Sequence, residues 1–228
     1  MIIEQITVTP FQQNARIVGC AQTKQAICID PGGDAQTIAA RIRRHDFTLQ
    51  AIALTHAHLD HIGGVTEMKQ LFPEAAIILH PDDEPLYHNL PVQPLALGIP
   101  RANWADYGFD FAAPPPLDRY WQDGEVYQVG TLSFTVRHCP GHTPGHVIFF
   151  EPSHRKAFVG DCLFAGSVGR TDLPGGSTEQ LMASLQETIL PLGDIVTVYS
   201  GHGPETTIGR ERATNPFLQG TSQKGRWV

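Results

Sequence analysis

The run Thr55-His56-Ala57-His58-Leu59-Asp60-His61 constrains this chain more than any other stretch. It sets three imidazoles and a carboxylate directly behind the apolar segment Ala51-Ile52-Ala53-Leu54. Successive side chains on a strand point to opposite faces, so a strand gathers such a cluster only at its end, where the chain turns. Imidazole nitrogen and carboxylate oxygen are the donors that suit zinc, iron or manganese. The fold must therefore be one that terminates a buried strand at a metal site.

Three further apolar runs end in the same kind of residue. The run at 132–136 leads into His138-Cys139-Pro140-Gly141-His142-Thr143-Pro144-Gly145-His146, the run at 157–159 into Gly160-Asp161, and the run at 195–199 into Ser200-Gly201-His202-Gly203-Pro204. A site assembled from several strand ends is how a layered α/β scaffold holds ligands rigidly. The candidate ligands are His56, His58, Asp60, His61, His142, Asp161 and His202. They are too many for one tetrahedral ion, whereas two ions sharing a carboxylate and a hydroxide would use them all.

The rest of the pattern supports a mixed α/β domain. Strand-like runs occur at 2–8, 15–20, 26–29, 51–55, 76–79, 126–129 and 147–150. Helical spacing occurs at 65–72 and 178–189, and after Asp34, which is placed to cap a helix with Ile38, Ala39 and Ile42 inward. Asp30, in Asp30-Pro31-Gly32-Gly33, reads as turn chemistry. Between 80 and 121 periodicity fails, and prolines mix with Trp104, Tyr107, Phe109 and Phe111. That segment reads as an excursion from the scaffold, its aromatics set either over a cleft or against the body. No linker composition divides the chain, so 1–228 reads as one domain.

The formal net charge of −7, with no Lys/Arg-rich run, excludes an electrostatic footprint for nucleic acid. No apolar run approaches the roughly 18 residues a membrane helix needs. The N-terminus lacks the features of a signal peptide, and Cys20, Cys28, Cys139 and Cys162 show no metal or redox spacing. A cytoplasmic protein with reduced thiols is the expectation. The sequence leaves the oligomeric state open.

Taken together, the motif T-H-x-H-x-D-H at 55–61, PGHTPGH at 140–146, GD at 160–161 and GHGP at 201–204 resembles the metallo-β-lactamase superfamily. The resemblance implies a four-layer αβ/βα sandwich with the metals at one edge. It also implies a ligand set: His56, His58 and His142 for one ion, Asp60, His61 and His202 for the other, and Asp161 between them. Zinc is the ion it favours, with iron or manganese also fitting. The segments VTPFQQN at 8–14, DPGGDA at 30–35, GSVGRTDLPGG at 166–176 and NPFL at 215–218 resemble the short bacterial glyoxalase II-like branch. That branch is similar to enzymes that cleave S-D-lactoylglutathione to D-lactate and glutathione. The helical C-terminal domain of the longer glyoxalase II enzymes is not expected here, because only 26 residues follow His202.

On that resemblance, hydroxide bridging two ions attacks the thioester, Asp60 orients it, and Arg170 stands where the longer enzymes place a glutathione-contacting lysine. The alternative role for Arg170 is a salt bridge with Asp172 or Glu179. The GRTD segment at 169–172 also resembles the persulfide dioxygenases of the superfamily, which would use one iron on His56, His142 and Asp161. A lactonase-like hydrolase shares the ligands too. His138 and His146 read either as groups that orient a ligand or as hydrogen-bonded core imidazoles.

Overall fold

The computed structural model describes residues 1–96, 98–100, 102–104 and 113–219. Tyr107, Phe109 and Phe111, expected in the excursion, lie outside the described residues. The first sheet runs in the order β1 (Ile2–Val8), β2 (Gln13–Gly19), β3 (Gln25–Ile29), β4 (Thr48–Ala53), β5 (Ala76–Leu79) and β6 (Arg119–Tyr120). Its first three strands are antiparallel, and β3 to β6 are parallel. Parallel neighbours need crossovers, which α1 (Ala35–Arg44) and the short helices α2 (Leu59–Ile62) and α3 (Val65–Leu71) supply.

The second sheet has the order β14-β13-β10-β9-β8-β7. Its members are β7 (Val126–Val129), β8 (Leu132–His138), β9 (Val147–Glu151), β10 (Lys156–Gly160), β13 (Thr197–Ser200) and β14 (Thr206–Thr207). β10 pairs parallel with β13, and the other neighbours pair antiparallel. A two-stranded ribbon of β11 (Leu163–Phe164) and β12 (Ser167–Val168) follows β10.

Alternation sorts the apolar residues into three cores. Ile27, Ile29, Ala51, Ala53 and Ile78 face Phe134, Val136, Val147, Phe149 and Phe158 between the sheets. Their neighbours Cys28, Ile52 and Leu54 point the other way, against Ile38 and Ile42 of α1 and Val65 and Met68 of α3. On the outer face of the second sheet, Ile148, Ala157, Val159 and Val198 meet Leu181 of α6 (Thr178–Ser184) and Ile208 of α7 (Ile208–Thr214). The result is the expected four-layer αβ/βα sandwich. All four cysteines are buried free thiols within these cores.

Three local expectations change. Asp34 does stand at the N-cap of α1, but its left-handed backbone (φ 49°) turns the side chain away and no cap bond forms. The helix expected over 178–189 is α-helical only to Ser184 and continues as a π turn over Leu185–Ile189. Ile195 is 66% exposed and precedes β13 rather than opening it. The excursion is also less separate than its sequence implies. It forms short helices, α4 (Glu84–His88) and α5 (Gln93–Ala96), and its end returns Trp121 to the core, where its Nε1 donates to Leu54 O at 3.2 Å.

Candidate metal centre

The seven ligand-type residues converge because their strands do. β10 and β13 lie side by side in parallel, so Asp161 and His202 leave the same sheet edge together, joined by Gly201 N–H donating to Gly160 O at 2.7 Å. The two sheets meet at this edge, where Val147 N–H donates to Thr55 O and Asn14 N–H to Gly201 O. The turn after β4 delivers His56 and His58, and α2 carries Asp60 and His61 on its single turn.

The spacing of donor atoms suits cations. Bonds of about 2.0 Å at tetrahedral angles put ligand atoms about 3.3 Å apart. His61 Nε2 is 3.3 Å from Asp161 Oδ1, His202 Nε2 is 3.5 Å from Asp161 Oδ2, and His202 Nε2 is 3.1 Å from Asp60 Oδ2. His58 Nδ1 and His142 Nε2 face each other at 2.9 Å, and His142 Nε2 is 3.7 Å from Asp161 Oδ2. The donors of His56, His58 and His142 form one cluster and those of Asp60, His61 and His202 another, each within 4.8 Å.

Hydrogen bonds on the far side of three rings fix which nitrogen is offered. His142 Nδ1 donates to Arg170 O at 2.7 Å and His61 Nδ1 to Asp30 Oδ2 at 3.0 Å. Thr55 gives its own hydroxyl proton to Asp30 Oδ2 at 2.6 Å, so its oxygen accepts from His56 Nδ1 at 3.0 Å. Each ring therefore turns Nε2 toward the centre. His56 Nε2, His61 Nε2 and Asp161 Oδ1 are buried with no hydrogen-bond partner among the described residues. Buried polar atoms are rarely left so, and metal ions would satisfy all three. A Cβ on Gly201 would come within 2.1 Å of Asp161 Oδ1, so the backbone itself forms part of the cradle.

Electrostatics agree. Burial lowers the pKa values of His56, His58 and His142, His58 to about 3, which keeps them neutral as ligation requires. Burial alone would raise Asp161, yet His61 and His202 outweigh it and hold the carboxylate ionised. Burial would likewise lower His61, but Asp161 and Asp60 push it well above the usual imidazole value. Divalent ions would take over from the proton on His61 in balancing the carboxylates of Asp60 and Asp161.

Four supports were missed or misread in the sequence. Asp30 is no mere turn residue: it is buried, accepts from Thr55 N at 2.7 Å, and braces both Thr55 and His61. Asp83 accepts from Ala57 N (2.9 Å), Thr143 Oγ1 (2.8 Å) and Gly145 N (2.6 Å), clasping the two histidine-bearing turns. Gln93 Oε1 accepts from Leu59 N, and its Nε2 donates to Ala57 O and Leu86 O. The fourth is the Arg170 carbonyl under His142. Asp83 and Gln93 come from the excursion, where the run HPDDEP signals only a turn. His146 joins the two alternatives set for it: it is a buried, hydrogen-bonded imidazole, and the group it accepts from is the backbone N–H of Asp161 at 3.1 Å. Arg170 pairs with Asp172 through two bonds of 2.7 and 2.8 Å, both side chains partly exposed.

The centre forms the floor of a cavity of about 960 Å³, bounded by His58, Asp60, His142, Asp161 and His202 below and by Phe11, Leu86, Val92, Phe164, Leu173 and Arg170 around. Among the described residues no helix is long and apolar enough to cross a membrane.

The sequence model of the metallo-beta-lactamase superfamily matches residues 8–202. The chain belongs to that superfamily. It is 41% identical over 223 residues to the hydroxyacylglutathione hydrolase GloC of Haemophilus influenzae, covering 97% of this chain and 100% of that one. The solved structure of BLEG-1 B3 metallo-beta-lactamase superposes with a TM-score of 0.84 at 36% identity, covering 96% of this chain and 100% of that one. TTHA1623 in a di-iron-bound form gives 0.81 at 39% identity, over 94% and 100%. As a superfamily member with clustered His and Asp donors, this protein is a metallohydrolase that binds divalent metal.

Proposed function

We propose that this protein hydrolyses a glutathione thioester such as S-D-lactoylglutathione, giving D-lactate and glutathione. In this reading His56, His58 and His142 hold one divalent ion, Asp60, His61 and His202 hold a second, and Asp161 serves both. Zinc is the first choice, and the di-iron form of TTHA1623 keeps iron in view. The observation that carries the reading is the set of orphaned donor atoms at the floor of a cavity large enough for a small ligand. The full-length similarity to a hydroxyacylglutathione hydrolase supplies the substrate class. Four buried free thiols support a reducing, cytoplasmic setting, and the formal net charge of −7 argues against nucleic acid as a partner.

Divalent ions at this centre supply an acidified water and a positive field for charge that develops on the carbonyl oxygen. The protein's own residues do the rest. Asp60, at the cavity floor, accepts a hydrogen bond from the attacking water and aims it at the thioester carbon. Water oxygen bonds to that carbon, the C–S bond breaks, and the proton that the water gives up ends on the leaving thiolate. Arg170 can exchange Asp172 for a carboxylate of the tripeptide at small cost, because an exposed ion pair is worth only about 0–1 kcal/mol. The apolar wall shields the reacting carbon from bulk water.

The test is free-thiol release from S-D-lactoylglutathione by metal-replete protein and by its Asp161→Ala variant. Release by the parent, lost in the variant, is expected. A filled centre that releases no thiol refutes the reading. A chromogenic cephalosporin in parallel addresses the lactamase named among the similar structures, and oxygen uptake with glutathione persulfide addresses the dioxygenase alternative.

A further inference from the structure

A second group of metal-type donors lies apart from the centre, where the end of β5 meets the end of β8. His80 and His138 stack face to face, ring centroids 4.2 Å apart and planes 9° from parallel. His138 Nε2 lies 2.8 Å from Pro144 O, an atom that only accepts, so Nε2 carries the proton and Nδ1 keeps its lone pair. His80 Nδ1 accepts Asp82 N–H over a long 3.3 Å, a weak bond that shows this nitrogen to be unprotonated and that an ion would displace from its lone pair. Asp82 Oδ2 is 3.8 Å from His80 Nδ1, close to the spacing of about 3.3 Å that tetrahedral ligation sets. One donor atom from each of His80, Asp82 and His138 falls within 4.8 Å of the others. Asp123 adds negative charge on the same face, its Oδ1 accepting the His138 backbone N–H at 2.9 Å.

We propose that His80, Asp82 and His138 form a separate site for a borderline divalent ion, of which Zn²⁺ is the representative. Imidazole with carboxylate is the donor set such ions select, and three protein ligands leave a position for water. Burial, together with the neighbouring His138, lowers the pKa of His80, so His80 favours the neutral form that ligates. The Asp82 side chain is 58% exposed, which opens the site to solvent and makes it weaker than the buried centre. A bound ion would staple the start of the excursion to the end of β8. Both anchors lie near the active-site clasp, since Asp82 precedes Asp83 and His138 holds Pro144 in the turn that bears His142.

The experiment counts ions per chain by equilibrium dialysis against buffered free Zn²⁺, from submicromolar to about 50 µM, for the holoenzyme and for His138→Gln and Asp82→Asn. Asp82 is exposed, so its variant keeps the fold even if His138→Gln does not. The parent is expected to take up one more ion per chain than either variant, and only the parent's melting temperature to rise further as that last ion binds. Uptake of the same number by parent and Asp82→Asn overturns the proposal, leaving a stacked histidine pair without a metal role. The difference between parent and variant is the readout, so the result stands whether the main centre holds one ion or two.

Discussion

Replacing Asp83 by asparagine tests the structural claim on which the centre's precision rests. The carboxylate receives three donors on two oxygens, from Ala57 N, Thr143 Oγ1 and Gly145 N, and is fully buried. Asparagine has the same outline but one acceptor. With its oxygen at the Oδ2 position it keeps Ala57 and Thr143, and its amide then faces Gly145 N–H donor to donor. A lost charge-assisted bond costs about 1.5–3 kcal/mol and an unsatisfied buried N–H about 1–3 kcal/mol. Relief from burying a charge offsets part of this, since burial pushes the Asp83 carboxyl up against the pull of those same bonds. A net loss of about 2–4 kcal/mol is expected.

For a domain of this size each kcal/mol moves the melting temperature by about 2–4 °C, so Asp83→Asn should melt roughly 4–16 °C lower. Metal affinity should fall by about 10–100-fold, as for other changes to groups that hold ligands in place. Thermal unfolding with and without chelator, alongside a competitive metal titration, reads both quantities. A shift below about 2 °C with unchanged affinity would refute the argument, because it would mean a carboxyl that is already protonated or bonds that do not form.

Gly201→Ala should cost metal before it costs fold: its Cβ would lie 2.1 Å from Asp161 Oδ1 and 2.6 Å from His61 Cε1, so ion content after dialysis falls while circular dichroism is retained. Chelation of the holoprotein should lower the melting temperature, since each ion held at a thousandfold over its Kd contributes about 4 kcal/mol; an unchanged melting curve would show that the clustered donors bind nothing. Arg170→Ala should leave stability within about 1 kcal/mol, because the Asp172 pair is exposed. In steady-state assays with the glutathione thioester it should raise KM about tenfold with kcat little changed, and an unchanged KM would confine Arg170 to its salt bridge.

What was legible in the sequence is what periodicity and spacing encode. The alternation of Ile27, Cys28 and Ile29, and of Ala51, Ile52, Ala53 and Leu54, separates the inter-sheet core from the helix-facing one. The candidate ligand residues are legible because they cluster at strand ends, and the structure brings their donor atoms together. Asp34 misleads because a favoured cap residue forms no cap bond here, where its backbone is left-handed and its Oδ2 accepts from Thr9 N instead. Asp30 and Asp83 were not legible, for a different reason. In sequence an aspartate within two residues of a proline looks the same whether it shapes a turn or reaches across 25 to 62 residues to another one. Only the packing of β3 against β4, and of the excursion's start against the turn after β8, decides between these.

These buried acids answer one physical need. A turn that carries histidines into the interior leaves backbone N–H groups with no ladder to join, and each would cost free energy if unpaired. A carboxylate accepts several such donors at once, and Asp30 and Asp83 do so for Thr55, Ala57 and Gly145. Their charge does second service: Asp30 fixes the proton on His61 Nδ1, and so directs Nε2 to the centre. Asp83 and Gln93 both belong to the excursion, which also supplies Leu86 and Val92 to the cavity wall. The segment that shapes the cavity is therefore the one that holds the ligand turns in register. Changes of substrate preference through this segment are expected to alter metal affinity as well, unless Asp83 and Gln93 are kept.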